Sequence, residues 1–268
     1  MSENSRVTQA YALARDEGRA ALVGYLPAGF PDVDGSIEAI KAMAANGCDV
    51  IEIGLPYSDP VMDGPTIQAA AQQALDQGTR TTDVLRVVEA VADTGVATVV
   101  MTYWNPVEAY GVARFAADLA SAGGSGLITP DLTPDEAGPW LEASDAHDLD
   151  RIFLVAHSST EARIAYTVEH CRGFVYAAAV MGVTGARSST SDLAPPLVAR
   201  TKKATDLPVG VGLGVSNGDQ AAEIAGYADG VIVGSAFVRA LLDAPDRATA
   251  LKDLETLTLD LADGVRRG

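Results

Sequence analysis

The sequence predicts an α/β chain folded as a single (β/α)8 TIM barrel with an extra N-terminal helix, and three observations carry that expectation. Its 268 residues suit a parallel barrel with outer helices, which needs roughly 250. Short apolar runs rich in Val and Ile alternate with longer Ala-rich segments of helical period, and the alternation recurs from near the start to the end of the chain. The runs are nearly continuous in apolar residues, as strands buried on both faces of a helix-covered parallel sheet must be. Eight such units favour closure into a barrel over an open sheet.

The first element, at 5–17, reads as a helix ahead of the first strand, placed to plug the bottom of the barrel. Strands are predicted at 20–25, 49–54, 98–103, 126–129, 151–156, 174–178, 208–212 and 230–233, each followed by a helix. Helix starts are signalled by Thr133 before Pro134 and Asp135, by Ser159 or Thr160 before Glu161, and by Ser216 before Asn217. No Pro/Gly-rich linker or shift of composition divides the chain, so residues 1–268 are read as one domain.

With 48% hydrophobic and 21% charged residues the composition is that of a folding globular chain. Lys and Arg total 19 against 36 Asp and Glu, and the net charge of −17 repels nucleic acid and anionic membrane surfaces. An anionic ligand would have to be held by backbone N–H groups and helix N-termini instead of a basic patch. Cys48 and Cys171 form no C-x-x-C pair and are expected as buried free thiols. The N-terminus shows no charged start followed by an apolar run, and no stretch is long enough to span a bilayer, so a cytoplasmic location is expected.

Active sites of parallel barrels lie at the C-terminal ends of the strands. Glu52 lies within Asp49-Val50-Ile51-Glu52-Ile53-Gly54, where alternation puts it on the face opposite Ile51 and Ile53. A carboxylate there either projects into the barrel mouth or is stranded among helices. Because an unpaired buried charge is costly, a purely structural Glu would need a dedicated partner. Partial desolvation would raise its pKa toward neutrality and let one group both donate and accept a proton.

The next loop runs from Leu55 to Thr66 and holds Asp63 before Gly64-Pro65. Asp63 either caps the helix beginning near Thr66 or serves chemistry, and local sequence does not decide between them. Glycine runs end the last two strands, Gly210-Val211-Gly212-Leu213-Gly214 and Gly230-Val231-Ile232-Val233-Gly234-Ser235, where barrels commonly hold phosphate. The long polar segment 182–191 has the composition of an active-site lid. A Schiff-base aldolase would place a lysine at a strand end, yet Lys41, Lys202, Lys203 and Lys252 all fall in helical segments. His147, His157 and His170 lack metal-ligand spacing, so no metal is expected.

Leu55-Pro56-Tyr57-Ser58-Asp59-Pro60 with Asp63-Gly64-Pro65-Thr66-Ile67-Gln68, then Gly182-Val183-Thr184-Gly185, then Gly212-Leu213-Gly214, resemble the signature segments of the tryptophan synthase α subunit family. The likeness runs in order over nearly the whole chain. It implies cleavage of indole-3-glycerol phosphate to indole and glyceraldehyde 3-phosphate by a cofactor-free retro-aldol reaction. By that resemblance Glu52 matches the catalytic glutamate and Asp63 the aspartate that binds the indole N–H. Tyr103 and Tyr176 match pocket aromatics, and Thr184, Gly185, Gly214, Gly234 and Ser235 fall among substrate- and phosphate-binding positions. The implied partner is a pyridoxal phosphate β subunit in an α2β2 complex, met by the loops at 56–60 and near Asn105-Pro106. Val180-Met181 and His157 depart from the family pattern. The competing reading is a non-catalytic barrel subunit that binds a phosphorylated ligand and activates a partner; intact Glu52 and Asp63 argue against it.

Overall fold

The computed structural model of the chain describes residues 5–178, 192–212 and 214–268. Helix α1 (Arg6–Asp16) comes first, and the Ser5 hydroxyl caps it by accepting the N–H of Thr8, a first-turn donor with no acceptor inside the helix. In chain order there follow β1 (Ala21–Pro27), α2 (Val33–Ala45), β2 (Val50–Gly54), α3 (Pro65–Asp76), α4 (Thr81–Ala92), β3 (Ala97–Met101), α5 (Trp104–Tyr110), α6 (Val112–Ser121), β4 (Gly126–Ile128) and α7 (Gly138–Ala146). The second half holds β5 (Asp150–Ile152), β6 (Leu154–Ala156), α8 (Glu161–His170), β7 (Val175–Ala178), α9 (Ala194–Lys202), β8 (Val209–Gly212), α10 (Gly218–Ala225), β9 (Gly230–Val233), α11 (Ser235–Leu242) and α12 (Arg247–Gly264).

Among the described residues the strands form one sheet in the order β5-β4-β3-β2-β1-β9-β8-β7-β6, and neighbouring strands run parallel. The two ends of that order are halves of one interrupted strand. Only Phe153 separates β5 from β6; β5 pairs with β4, β6 pairs with β7, and the Phe153 carbonyl accepts the N–H of Tyr176 at 3.2 Å. The strand expected at 151–156 is therefore present but broken, each half following a different neighbour, and the sheet meets itself as an eight-unit TIM barrel.

Strand alternation sorts the side chains into two cores. Val23, Val50, Ala97, Val99, Ile128, Ile152 and Ile232 fill the barrel, whereas Leu22, Ile51, Ile53, Val100, Leu127, Val175, Val211 and Val233 face the helices. Helix α1 plugs the barrel as expected: its Val7, Tyr11 and Ala14 are buried in the same cluster as the barrel interior. Aspartates tie the strands at this end. Asp49 accepts the N–H of Leu22 at 2.8 Å and the Arg19 guanidinium at 2.6 and 2.8 Å. Asp229 accepts the N–H of Val209 at 2.9 Å, and buried Asp150 accepts the Ser5 hydroxyl.

The expected helix starts hold in part. Thr160 caps α8 and accepts the N–H of Arg163 at 3.2 Å, while α10 is capped by Asn217 instead of Ser216. Thr133 opens only a turn, its carbonyl accepting the N–H of Glu136, and α7 begins later, at Gly138 with Pro139 in its first turn. A proline fits there because the first-turn N–H groups have no intrahelical acceptor.

The plug explains two glycines. A methyl group added at Gly230 would lie 2.5 Å from the Tyr11 hydroxyl, and one at Gly210 would lie 2.9 Å from it. Gly230→Ala is expected to lower stability by about 1–3 kcal/mol, because the plug ring has nowhere to retreat. Urea unfolding checks this, and an unchanged midpoint at unchanged slope would contradict the fit.

Candidate active site

Glu52 lies on the inward face of β2 with Val50, while Ile51 and Ile53 enter the helix layer. It is 1% exposed, and its Oε1 has no hydrogen-bond partner among the described residues. Burial pushes its carboxyl up to about 8, and among the described residues no cation offsets the desolvation. The alternative of a carboxylate turned out among the helices or locked in an ion pair is thereby removed. At neutral pH this carboxyl holds its proton in a dry interior, as a general acid requires.

Asp63 does not cap a helix. Helix α3 starts after Gly64 with no side-chain cap, and the Asp63 carboxylate instead accepts the Tyr103 hydroxyl at 3.1 Å. That hydroxyl also accepts the N–H of Met62 at 2.9 Å, so Tyr103, the N-cap of α5 just past β3, fixes the loop from 55 to 64 on both sides of its own oxygen. Burial raises the Asp63 carboxyl above its ordinary range, and the hydrogen bond from Tyr103 opposes that shift. The same surroundings push the Tyr103 hydroxyl up to about 12, burial contributing most. The ring of Tyr57 lies 5.4 Å from that of Tyr103, and the Asn105 amide donates to the Tyr57 hydroxyl at 3.3 Å. Two segments far apart in sequence thus form one rim.

Tyr176, on β7, faces the barrel interior and feels the charge of Glu52. Sequence reasoning missed Tyr25. It stands on β1 in register with Glu52, and the charges acting on its hydroxyl are those of Asp63 and then Glu52. Within an apolar strand it reads as an ordinary core aromatic. The available signal was its shared parity with Val23 on the inward face. The neighbouring strands yield to these rings: a Cβ at Gly54 would run into the Tyr25 hydroxyl, and one at Gly212 into the Tyr176 hydroxyl. Within the glycine runs read as the phosphate signal, Gly210, Gly212 and Gly230 leave room for aromatic side chains.

Between β1 and β7, β8 and β9 are neighbours with Gly212 paired to Ile232, so Gly214 and the Gly234-Ser235 step lie side by side at adjacent strand ends. Gly214 has φ +69°, a left-handed conformation natural to glycine. Gly234 is the N-cap of α11 and Ser235, 6% exposed, its first residue, so the unbonded N–H groups of that helix open here. Thr184 and Gly185, Val180-Met181 and the lid expected at 182–191 lie outside the described residues, as does Leu213. His157 is half-buried, with a buried Nδ1 that has no partner among the described residues and a carbonyl that accepts Arg200 at 3.2 Å.

The chain matches the family profile described as tryptophan synthase alpha chain over residues 11–266. It is 65% identical over 261 residues to the tryptophan synthase alpha chain of Acidothermus cellulolyticus, covering 97% of each chain. It is 64% identical over 262 residues to that of Salinispora arenicola, covering 98% of each. Among solved structures it resembles Mycobacterium tuberculosis tryptophan synthase with a TM-score of 0.93 and 59% identity over 98% of this chain and 99% of that one. The tryptophan synthase subunit alpha of Legionella pneumophila is similar at a TM-score of 0.89 and 28% identity, over 97% of this chain and 98% of that one. A closed parallel barrel, a buried unpaired glutamate on its inner face and full-length similarity to these chains agree: this chain belongs to the tryptophan synthase α chain family, the carbon–carbon lyases that cleave indole-3-glycerol phosphate to indole and glyceraldehyde 3-phosphate.

Proposed function

We propose that Glu52 is both the acid and the base of this cleavage and that Asp63 holds the indole nitrogen. The observation that carries the reading is the buried carboxyl of Glu52 on the inner face of β2, its Oε1 without a partner and no cation offsetting its desolvation among the described residues. Protonated Glu52 delivers its proton to indole C3, which breaks the aromaticity of the five-membered ring and puts positive charge on the ring nitrogen. Asp63, accepting the N–H, stabilises that charge. Glu52, now a carboxylate, removes the proton of the side-chain hydroxyl next to the bond to be broken. The carbon–carbon bond cleaves, its electrons return to the ring, and glyceraldehyde 3-phosphate leaves as the aldehyde. Each proton is handled by the chain's own carboxylate, so no cofactor enters the scheme.

Tyr103 fixes Asp63 against the rim, and Tyr176 walls the ring site beside Glu52. Gly214, Gly234 and Ser235 present backbone N–H groups to the phosphate, an arrangement suited to a chain of net charge −17 because it needs no lysine. Thr184 and Gly185 complete the phosphate side of the site in this reading. The chain acts as one barrel unit over residues 1–268.

The family works with a β subunit in an α2β2 complex, and so does this chain. The rim formed by the loop at 56–60 with Val61 and by Asn105-Pro106 is the face offered to that partner. Pro56 is buried, whereas Val61 is 74% exposed and is the apolar residue this rim leaves open. No helix among the described residues is long and apolar enough to cross a membrane. The free, buried Cys48 and Cys171 suit the reducing cytoplasm, where we place the chain.

The test is turnover of indole-3-glycerol phosphate across pH, with and without the β subunit. The first step needs protonated Glu52, whose carboxyl titrates near 8, so kcat is expected to fall as pH rises through that value. A rate that stays flat through this window would remove Glu52 as the proton donor.

A further inference from the structure

Helix α1 brings a hydroxyl where a plug needs none. Tyr11 is 3% exposed, its ring lies 5.3 Å from that of Phe174, and its hydroxyl has no hydrogen-bond partner among the described residues. A desolvated, unpaired hydroxyl destabilises a fold. Gly210 and Gly230 both lack side chains exactly where that hydroxyl sits, so two strands have been shaped to admit it. Phenylalanine would plug the barrel without a buried hydroxyl; Gly230 would still have to clear the ring carbons, but the clearance at Gly210 serves the hydroxyl. A second buried polar atom without a partner faces the same interior: Oε1 of Glu52.

The two groups are complementary, since a tyrosine hydroxyl donates and a carboxylate accepts. We propose that Tyr11 is a positioning residue for Glu52: from beneath the site its hydroxyl donates, directly or through one internal water, to the Glu52 carboxylate that forms once the proton has gone to the substrate. This rests on the reading of Glu52 as the acid and base. The catalytic cycle creates a negative charge in a buried site with no cation beside it among the described residues, and neutral hydroxyls are what those residues supply. Titratable groups acting on Tyr11 are Glu52 from β2, Asp229 before β9, Asp49 before β2 and Tyr176 from β7. Of these, Glu52 comes first, and Asp49 and Asp229 are already bonded to backbone N–H groups of neighbouring strands. The hydroxyls that feel the charge of Glu52 are those of Tyr11, Tyr25 and Tyr176.

The experiment is Tyr11→Phe in the full chain assembled with its β subunit. Loss of the donor raises the Glu52 pKa, so the pH at which kcat falls is expected to move up by about one unit, and kcat at neutral pH to drop about fivefold with KM within about twofold. The thermal midpoint stays level or rises, because an unpaired buried hydroxyl has been removed. Incorporating 3-fluorotyrosine at position 11, a stronger donor of nearly the same shape, moves the limb the opposite way. An unmoved limb overturns the proposal, whether kcat holds or falls together with the thermal midpoint, since the ring would then serve packing alone. A Glu52→Gln variant as active as the parent would instead sink the reading of Glu52 itself, so the two failures are told apart.

Discussion

Glu52→Gln abolishes indole release, a loss on the order of a thousandfold, while affinity for a phosphorylated ligand stays within about tenfold. Glutamine keeps the volume and planar shape of the side chain in its buried seat, so the barrel interior need not repack. What disappears is a proton that can leave and return. Because burial holds the native carboxyl near 8, the parent carries that proton at neutral pH, and the variant has no group on β2 to replace it. Loss of rate without loss of binding would show in a single-turnover measurement beside a titration with glycerol phosphate. Comparable rates in variant and parent would transfer the chemistry elsewhere in the site.

Asp63→Asn comes next in size, with kcat reduced about a hundredfold and KM changed little. The amide keeps an oxygen for the Tyr103 hydroxyl, so the loop from 55 to 64 stays anchored through that bond and through the one from Met62. The negative charge facing the ring nitrogen is gone. That charge matters most when the protonated ring carries its positive charge, which places the effect in the transition state and hence in kcat. Steady-state kinetics with indole-3-glycerol phosphate decide it, and a kcat within about twofold of the parent would argue that Asp63 only shapes the loop.

Much of this site could be read from residues alone. Glu52 was legible because strand period places it opposite Ile51 and Ile53, and a lone carboxylate on an apolar strand has few structural uses. Asp63 was only half legible. Asp before Gly-Pro suits a helix cap as well as a catalytic loop, and only the structure removed the cap, pairing the carboxylate with Tyr103 at the start of α5. Nothing in the sequence set Tyr25 and Tyr11 apart, since an aromatic in an apolar segment looks the same whether it fills a core or faces an acid. What the glycines at 210, 212 and 230 make room for was not legible, because a missing side chain gives no hint of whether a ligand or a neighbouring ring takes the space.

The sequence by itself determined the repeat of strand and helix, the parallel sheet, the plugging helix and the face on which Glu52 stands, because these follow from periodicity and burial along a single segment. Only the tertiary structure decided where the barrel closes, through a strand broken at Phe153, and which hydroxyl meets which carboxylate. The physical reason is that hydrogen bonding and desolvation act over a few ångströms between side chains from different strands. Those distances exist only after the sheet has rolled up and brought Tyr11, Tyr25, Tyr103 and Tyr176 around the two acids.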